Sequence, residues 1–114
     1  MIDLSTRLAK AGDLPDVLAM VHALAAHHGD AATTTLTDLE RDVLHGTPWI
    51  TLIVAEGQEG LLGYAALCPL VQLQFGARGM DIHHLFVKKS ARGQGVARRL
   101  ITTAMDHSQL LGCR

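Results

Sequence analysis

Two hydrophobic periods alternate along this chain. Residues 2–8 alternate apolar and polar positions (Ile2, Leu4, then Leu8), which predicts a first strand. Asp13 and Asp16 around Pro15 form a capping-box pattern at the start of a helix. Leu14, Val17, Leu18, Val21, Leu24 and Ala25 then recur at helical spacing until Gly29 stops them. A shorter helix is predicted over about 37–45, with Leu36, Leu39, Val43 and Leu44 apolar, and Gly46-Thr47-Pro48 ends it. The period then shortens. Residues 49–55 read as a strand rich in β-branched residues, Gly57-Gln58-Glu59-Gly60 as a hairpin loop, and residues 61–73 as a long second strand. Gly63 and Pro69 inside that strand predict a bulge or bend. Phe75-Gly76-Ala77-Arg78-Gly79 turns the chain into a last strand over 80–87. A final helix over about 93–111 places Val96, Ala97, Leu100, Ile101, Ala104 and Leu111 on one face, with Gly112 set to end it. The order β-α-α-β-β-β-α, with strands joined by hairpins, predicts an α+β domain spanning residues 1–114. Its sheet is mainly antiparallel, of about four strands, with three helices.

Composition narrows the classes of function. At 114 residues and 48% hydrophobic content, the chain can bury one real core. A net charge of −1 supplies no attraction to nucleic acid or to an anionic membrane, and aromatic residues at 4% are too few for a base-stacking platform. No apolar run approaches a membrane span, and the N-terminus lacks a signal-peptide layout. Cys68 and Cys113 match no metal or redox spacing and read as free thiols of a cytoplasmic protein.

The candidate chemistry centres on Arg92-Gly93-Gln94-Gly95-Val96-Ala97, between the last strand and the last helix. Two glycines allow a tight turn and close approach of a ligand to the backbone. The first amides of a helix have no intrahelical partner and point outward as an anion site, to which Arg92 adds a fixed charge. A nucleotide P-loop would need Gly-Lys-Ser/Thr where this chain has Gly95-Val96-Ala97. A dinucleotide fingerprint would need a third glycine where Arg98 stands, and a βαβ unit around it.

The strand ending in Phe86-Val87, four intervening residues, and Arg92, Gly95 and Ala97 at the head of a helix resemble the acetyl-CoA loop of the GNAT acetyltransferase superfamily, Arg/Gln-x-x-Gly-x-Gly/Ala. Thr35 to Glu40, Leu44-His45-Gly46 and the strand that follows resemble its spermidine/spermine N-acetyltransferase branch. The resemblance implies an acetyl-CoA-dependent transfer to an amine. It assigns Leu85, Phe86 and Val87, on a bulged strand, to the pantetheine arm, and the amides of Gly93, Gln94, Gly95, Val96, Ala97 and Arg98 to the pyrophosphate.

Acetylating an amine requires a base to take its proton. Strict alternation along the last strand puts Asp81, His83 and Leu85 on one face and His84 and Phe86 on the other. By resemblance to the arylalkylamine branch, His83 and Asp81 occupy the positions of the base pair. An imidazole suits proton transfer near neutral pH, and Asp81 suits orienting it or attracting a cationic amine. Polyamine acetyltransferases carry Glu-Asp where this chain has His83-His84, so a smaller or less charged amine is the expected acceptor. His84, and His27, His28 and Asp30 near the end of the first helix, are the candidate substrate contacts. No spacing predicts a metal site.

The resemblance also implies that the family's C-terminal strands and its thiolate-protonating tyrosine have no counterpart here. The only tyrosine, Tyr64, falls in a middle strand. An unpaired edge on the last strand and a partly covered last helix then predict a homodimer, with possible exchange of elements. The rival to an enzyme is a CoA-binding scaffold domain that has lost the chemistry.

Overall fold

The computed structural model describes residues 4–113. Four strands form one sheet in chain order, every neighbour antiparallel: β1 (Ser5–Leu8), β2 (Thr51–Gly57), β3 (Gly60–Gln72) and β4 (Ala77–Val87). Three helices complete it: α1 (Leu14–His27), α2 (Leu36–Leu39), which continues as a wide π turn over Glu40–Leu44, and α3 (Val96–Leu110). The predicted fold class and element order are those observed. Ile2, the first residue of the predicted first strand, lies outside the described residues.

The sheet separates two cores. On one face Leu52, Val54, Tyr64, Ala66 and Phe86 pack against Leu14, Val17 and Met20 of α1 and Leu39 of α2. On the other, Ile53, Ala55, Ala65 and Leu67 pack against Val96, Leu100 and Ala104 of α3. The central strands are therefore buried on both sides, which is why they read as continuous apolar runs rather than alternating ones. Each of the larger aliphatic and phenyl side chains removed from water stabilises the fold by about 1.5–3 kcal/mol, and each alanine by less.

Local details depart from the sequence reading for identifiable reasons. Asp13 and Asp16 form no capping box. The Asp13 carboxylate instead accepts the Lys10 N–H at 2.7 Å and pairs with both terminal nitrogens of Arg7, at 2.6 and 3.0 Å. Asp13 thus caps the short turn over Ala11–Asp13 and pairs with Arg7, while α1 itself starts without a side-chain cap. The capping box lies at α2, where Thr35 and Asp38 exchange side-chain and backbone hydrogen bonds. β4 begins at Ala77, three residues earlier than predicted, because a short turn over Leu73–Phe75 closes at Gly76 in the left-handed region. In β3 the bulge falls beside Gly63, where the register with β2 slips, and not at Pro69. β2 ends opposite Leu67, so Pro69 sits where β3 has β4 as its only neighbour, a place that tolerates proline.

Candidate functional site

Two features of β4 create the site. The first is a bulge. Ala66 pairs with His84 and Leu67 with Ile82, leaving His83 as an extra residue on β4. The extra residue resets the alternation. His83 and His84 thus line the same cavity, their rings stacked with centroids 4.4 Å apart. This corrects the expectation that they face opposite ways. Asp81 pairs with Cys68, on the face that carries Ala66 and His84, whereas Leu85 packs toward α3. Asp81 and Leu85 thus lie on opposite faces, and Asp81 makes no hydrogen bond to His83. Nearer the end of β4, opposite Val87, Gly63 brings β3 close: a Cβ there would stand 2.4 Å from the Phe86 carbonyl oxygen.

The cavity, about 290 Å³, lies between α1, α2 and the sheet. Its floor is apolar, with Val17, Val21, Leu39, Ile50, Leu52 and Ala66, and its polar groups gather at two places on the wall. Asp38, Arg41 and Asp42 form one cluster on it. Arg41 binds Asp42 at 2.8 Å and reaches Asp38 at 3.5 Å, so the two carboxylates share one cation and the cluster keeps a net charge of −1. Asp38 is held below the usual carboxylate range, chiefly by the Thr35 backbone N–H, and Asp42 by its hydrogen bond with Arg41. At the sheet side, the fully buried Tyr64 places its hydroxyl 3.2 Å from Nδ1 of His84. Burial pushes the Tyr64 phenol up to about 12. His84 is held below the ordinary histidine value by burial first, and then by the nearby His83 and His28.

Second, β4 runs into the loop that opens α3. Gly93 and Gly95 both adopt left-handed φ, +78° and +81°, and a Cβ on either would meet nothing within 4 Å. The backbone thus turns sharply beside open space. The first backbone bond of α3 runs from the Arg99 N–H to the Gly95 carbonyl, and the amides of Val96, Ala97 and Arg98 precede it at the positive end of the helix. Arg92 donates from Nε to the Val87 carbonyl at 3.1 Å, leaving its terminal nitrogens for an outside anion. Leu85, Val87 and residues Ala91, Arg92, Gly93, Gly95, Val96, Ala97 and Arg98 line a shallow groove of about 400 Å³. Five of the chain's ten Lys and Arg residues (Lys88, Lys89, Arg92, Arg98 and Arg99) fall within residues 88–99, with no acid among them.

Of the predicted residues, the groove therefore gathers Leu85, Val87, Arg92, Gly93, Gly95, Val96, Ala97 and Arg98. Gln94 lies exposed within the same turn, and Phe86 points instead into the core beneath α1. The cavity gathers His83 and His84 but not Asp81, His27, His28 or Asp30. His27 and His28 close the end of α1. Sequence reasoning set Tyr64 aside as a middle-strand residue and passed over Asp38, Arg41 and Asp42. The charge run at 88–99 was readable and went unused.

A family model, that of the GNAT acetyltransferases, matches residues 18–114. The chain belongs to the GNAT acetyltransferase family. No curated protein matches it. Among solved structures, a GNAT family acetyltransferase of Staphylococcus aureus is 20% identical, over 99% of this chain and 83% of that one, with a TM-score of 0.77. An aminoglycoside acetyltransferase from an uncultured soil metagenomic sample is 18% identical, over 97% and 73%, with a TM-score of 0.81. A ribosomal-protein-alanine N-acetyltransferase of Brucella melitensis is 18% identical, over 96% and 74%, with a TM-score of 0.75. At these identities the likeness is one of fold. GNAT acetyltransferases use acetyl-CoA. Among the described residues, no group of three or more His, Cys, Asp or Glu could hold a metal ion, and no helix is long and apolar enough to cross a membrane.

Proposed function

We propose that this chain is an acetyl-CoA-dependent N-acetyltransferase acting by direct transfer on a small amine of low charge. The observation that carries this reading is the arrangement around one outer strand. β4 carries an anion cradle at its end and two histidines at its bulge, facing a mostly apolar cavity. Because β4 is the outer strand of the sheet, a long flexible ligand can follow its edge from the groove beside α3 to the cavity beneath α1.

The left-handed turn at Gly93 and Gly95 leaves room for a pyrophosphate against the first amides of α3, and the five cations of residues 88–99 match the charge of a polyphosphate. The strand edge at 85–87 offers backbone hydrogen bonds to the amides of a pantetheine arm. Acetyl-CoA supplies an activated acetyl thioester. His83 takes the proton that the amine nitrogen loses as it bonds to the acetyl carbon, and returns it to the sulfur as the carbon–sulfur bond breaks. Asp81, exposed on the same face, draws a protonated amine toward the cavity. The two acids of the cavity share one cation, Arg41, so the single negative charge left there suits a singly charged amine better than a polycation.

Thiol release from acetyl-CoA with a panel of small amines tests this reading. Saturable turnover that disappears in His83→Ala supports it. CoA binding without turnover for any amine points to a scaffold domain, and absence of CoA binding sinks both. Gly95→Trp is expected to fill the pyrophosphate space and abolish CoA binding; unchanged affinity would refute the loop assignment.

A further inference from the structure

We propose that Tyr64 locks His84 as a neutral imidazole protonated at Nε2, so that His84 serves the cavity as a hydrogen-bond donor while proton uptake falls to His83. The role in turnover rests on the acetyl-transfer reading above; the lock itself does not.

The argument begins with the phenol. Tyr64 is 0% exposed, and its hydroxyl has one hydrogen-bond partner among the described residues, Nδ1 of His84 at 3.2 Å. A buried O–H left without an acceptor is costly, more so than an oxygen lone pair left unused. If Nδ1 carried the proton, it could only donate to the phenol oxygen, and the phenol O–H would be stranded. With the proton on Nε2, Tyr64 donates to Nδ1 and both groups are satisfied. The raised phenol keeps its proton throughout the working range, so it remains a donor.

The same bond disfavours a charged His84. Adding a proton to Nδ1 reverses the hydrogen bond and again strands the phenol O–H. The surroundings act in the same direction. His83 stacks on the ring, and His28 at the end of α1 lies close enough to oppose a positive charge. Across the cavity, Asp38 and Asp42 share the single cation Arg41 and keep a net charge of −1, but the charge state of His84 answers to burial, His83 and His28 and not to that cluster. Two stacked imidazoles cannot both ionise cheaply, and their environments differ: one is half-buried and tied to a phenol, the other exposed. Paired titratable groups pushed apart in this way take different roles. The bulge at His83 makes the arrangement possible, since regular alternation would have sent one ring to the far face of the sheet.

Nitrogen-15 NMR of the histidine-labelled chain reads tautomer and charge directly, with no need for turnover. The expected wild-type signature is an acceptor-type Nδ1 and a protonated Nε2 for His84, persisting to a pH below the ordinary histidine midpoint. In Tyr64→Phe, which removes only the hydroxyl, the tautomers are expected to mix and the His84 midpoint to rise. In turnover, Tyr64→Phe is expected to lose activity increasingly as pH falls, because a charged His84 opposes proton uptake by its stacked neighbour. CoA affinity stays the same. An Nδ1-protonated His84, or one that charges at or above the ordinary histidine value in the wild type, overturns the proposal. Should Tyr64→Phe fail to fold, the wild-type spectrum alone decides. The wild-type signature without turnover for any amine supports the lock and removes the acetyl-transfer reading instead.

Discussion

At His83 a single extra residue decides what the strand can do. Without the bulge, one of the two histidines would point toward α3, and the cavity would hold one imidazole instead of a stacked pair. His83→Ala is expected to lower kcat by about 10²–10⁴-fold, the usual worth of a positioned base, with CoA affinity unchanged; retention of full turnover with a rapid amine would remove His83 from the mechanism. Gly63 lies beside the end of the same strand, opposite Val87. With a Cβ 2.4 Å from the Phe86 carbonyl, Gly63→Ala must push β4 outward, at a cost of about 1–3 kcal/mol for such overpacking, read by chemical denaturation. A neutral outcome there would mean that β3 and β4 can separate freely. The glycine and the histidine pair were visible in the sequence. The bulge at His83 was implied only by family resemblance, because the residue that a register slip leaves over depends on the partner strand.

At the scale of elements, α3 shows how two glycines set the start of a helix. Its first turn follows two left-handed residues, a conformation in which any side chain other than glycine is strained. Gly95→Ala is therefore expected to destabilise the chain by about 1–2 kcal/mol, although a methyl group there meets nothing within 4 Å. The measurement is the shift in denaturation midpoint; no shift would mean that the loop is free to rearrange. The apolar face of α3 was legible from its spacing, as was the glycine that ends the helix. Farther along, Arg7 and Asp13 join β1 to the turn before α1. Arg7 holds Asp13 below the usual carboxylate range. That stabilisation is complete above the unfolded carboxylate value of about 3.8 and is lost as pH falls through the lower folded value. Asp13→Asn is expected to flatten the stability profile in that acid window. A profile that keeps its wild-type slope would show that the pair contributes nothing. His84 acts in a separate window. The unfolded ring binds a proton below about 6.5 and the folded ring resists it, so stability declines from there until the folded value is passed.

For the molecule as a whole, β4 is the outer strand, and beside it Leu67, Met80, Ile82, Ala104 and Met105 line an apolar groove of about 380 Å³ with α3. Ile82 and Met105 stand well exposed there. We propose that a second copy covers this face. Light scattering is then expected to report a mass near twice 12.2 kDa, falling toward the single-chain value in Met105→Glu; a wild-type mass of one chain removes the proposal. The sequence by itself determined the element order, the apolar helix faces and the glycine turn that opens α3. These depend on short-range periodicity and on residues whose backbone preferences are local. Only the tertiary structure decided that His83 and His84 share a cavity, that Tyr64 meets His84, and that Asp13 binds Arg7 as well as the turn before α1. Each joins residues distant in the chain or depends on strand register, and no local pattern records which partner wins when several are chemically possible.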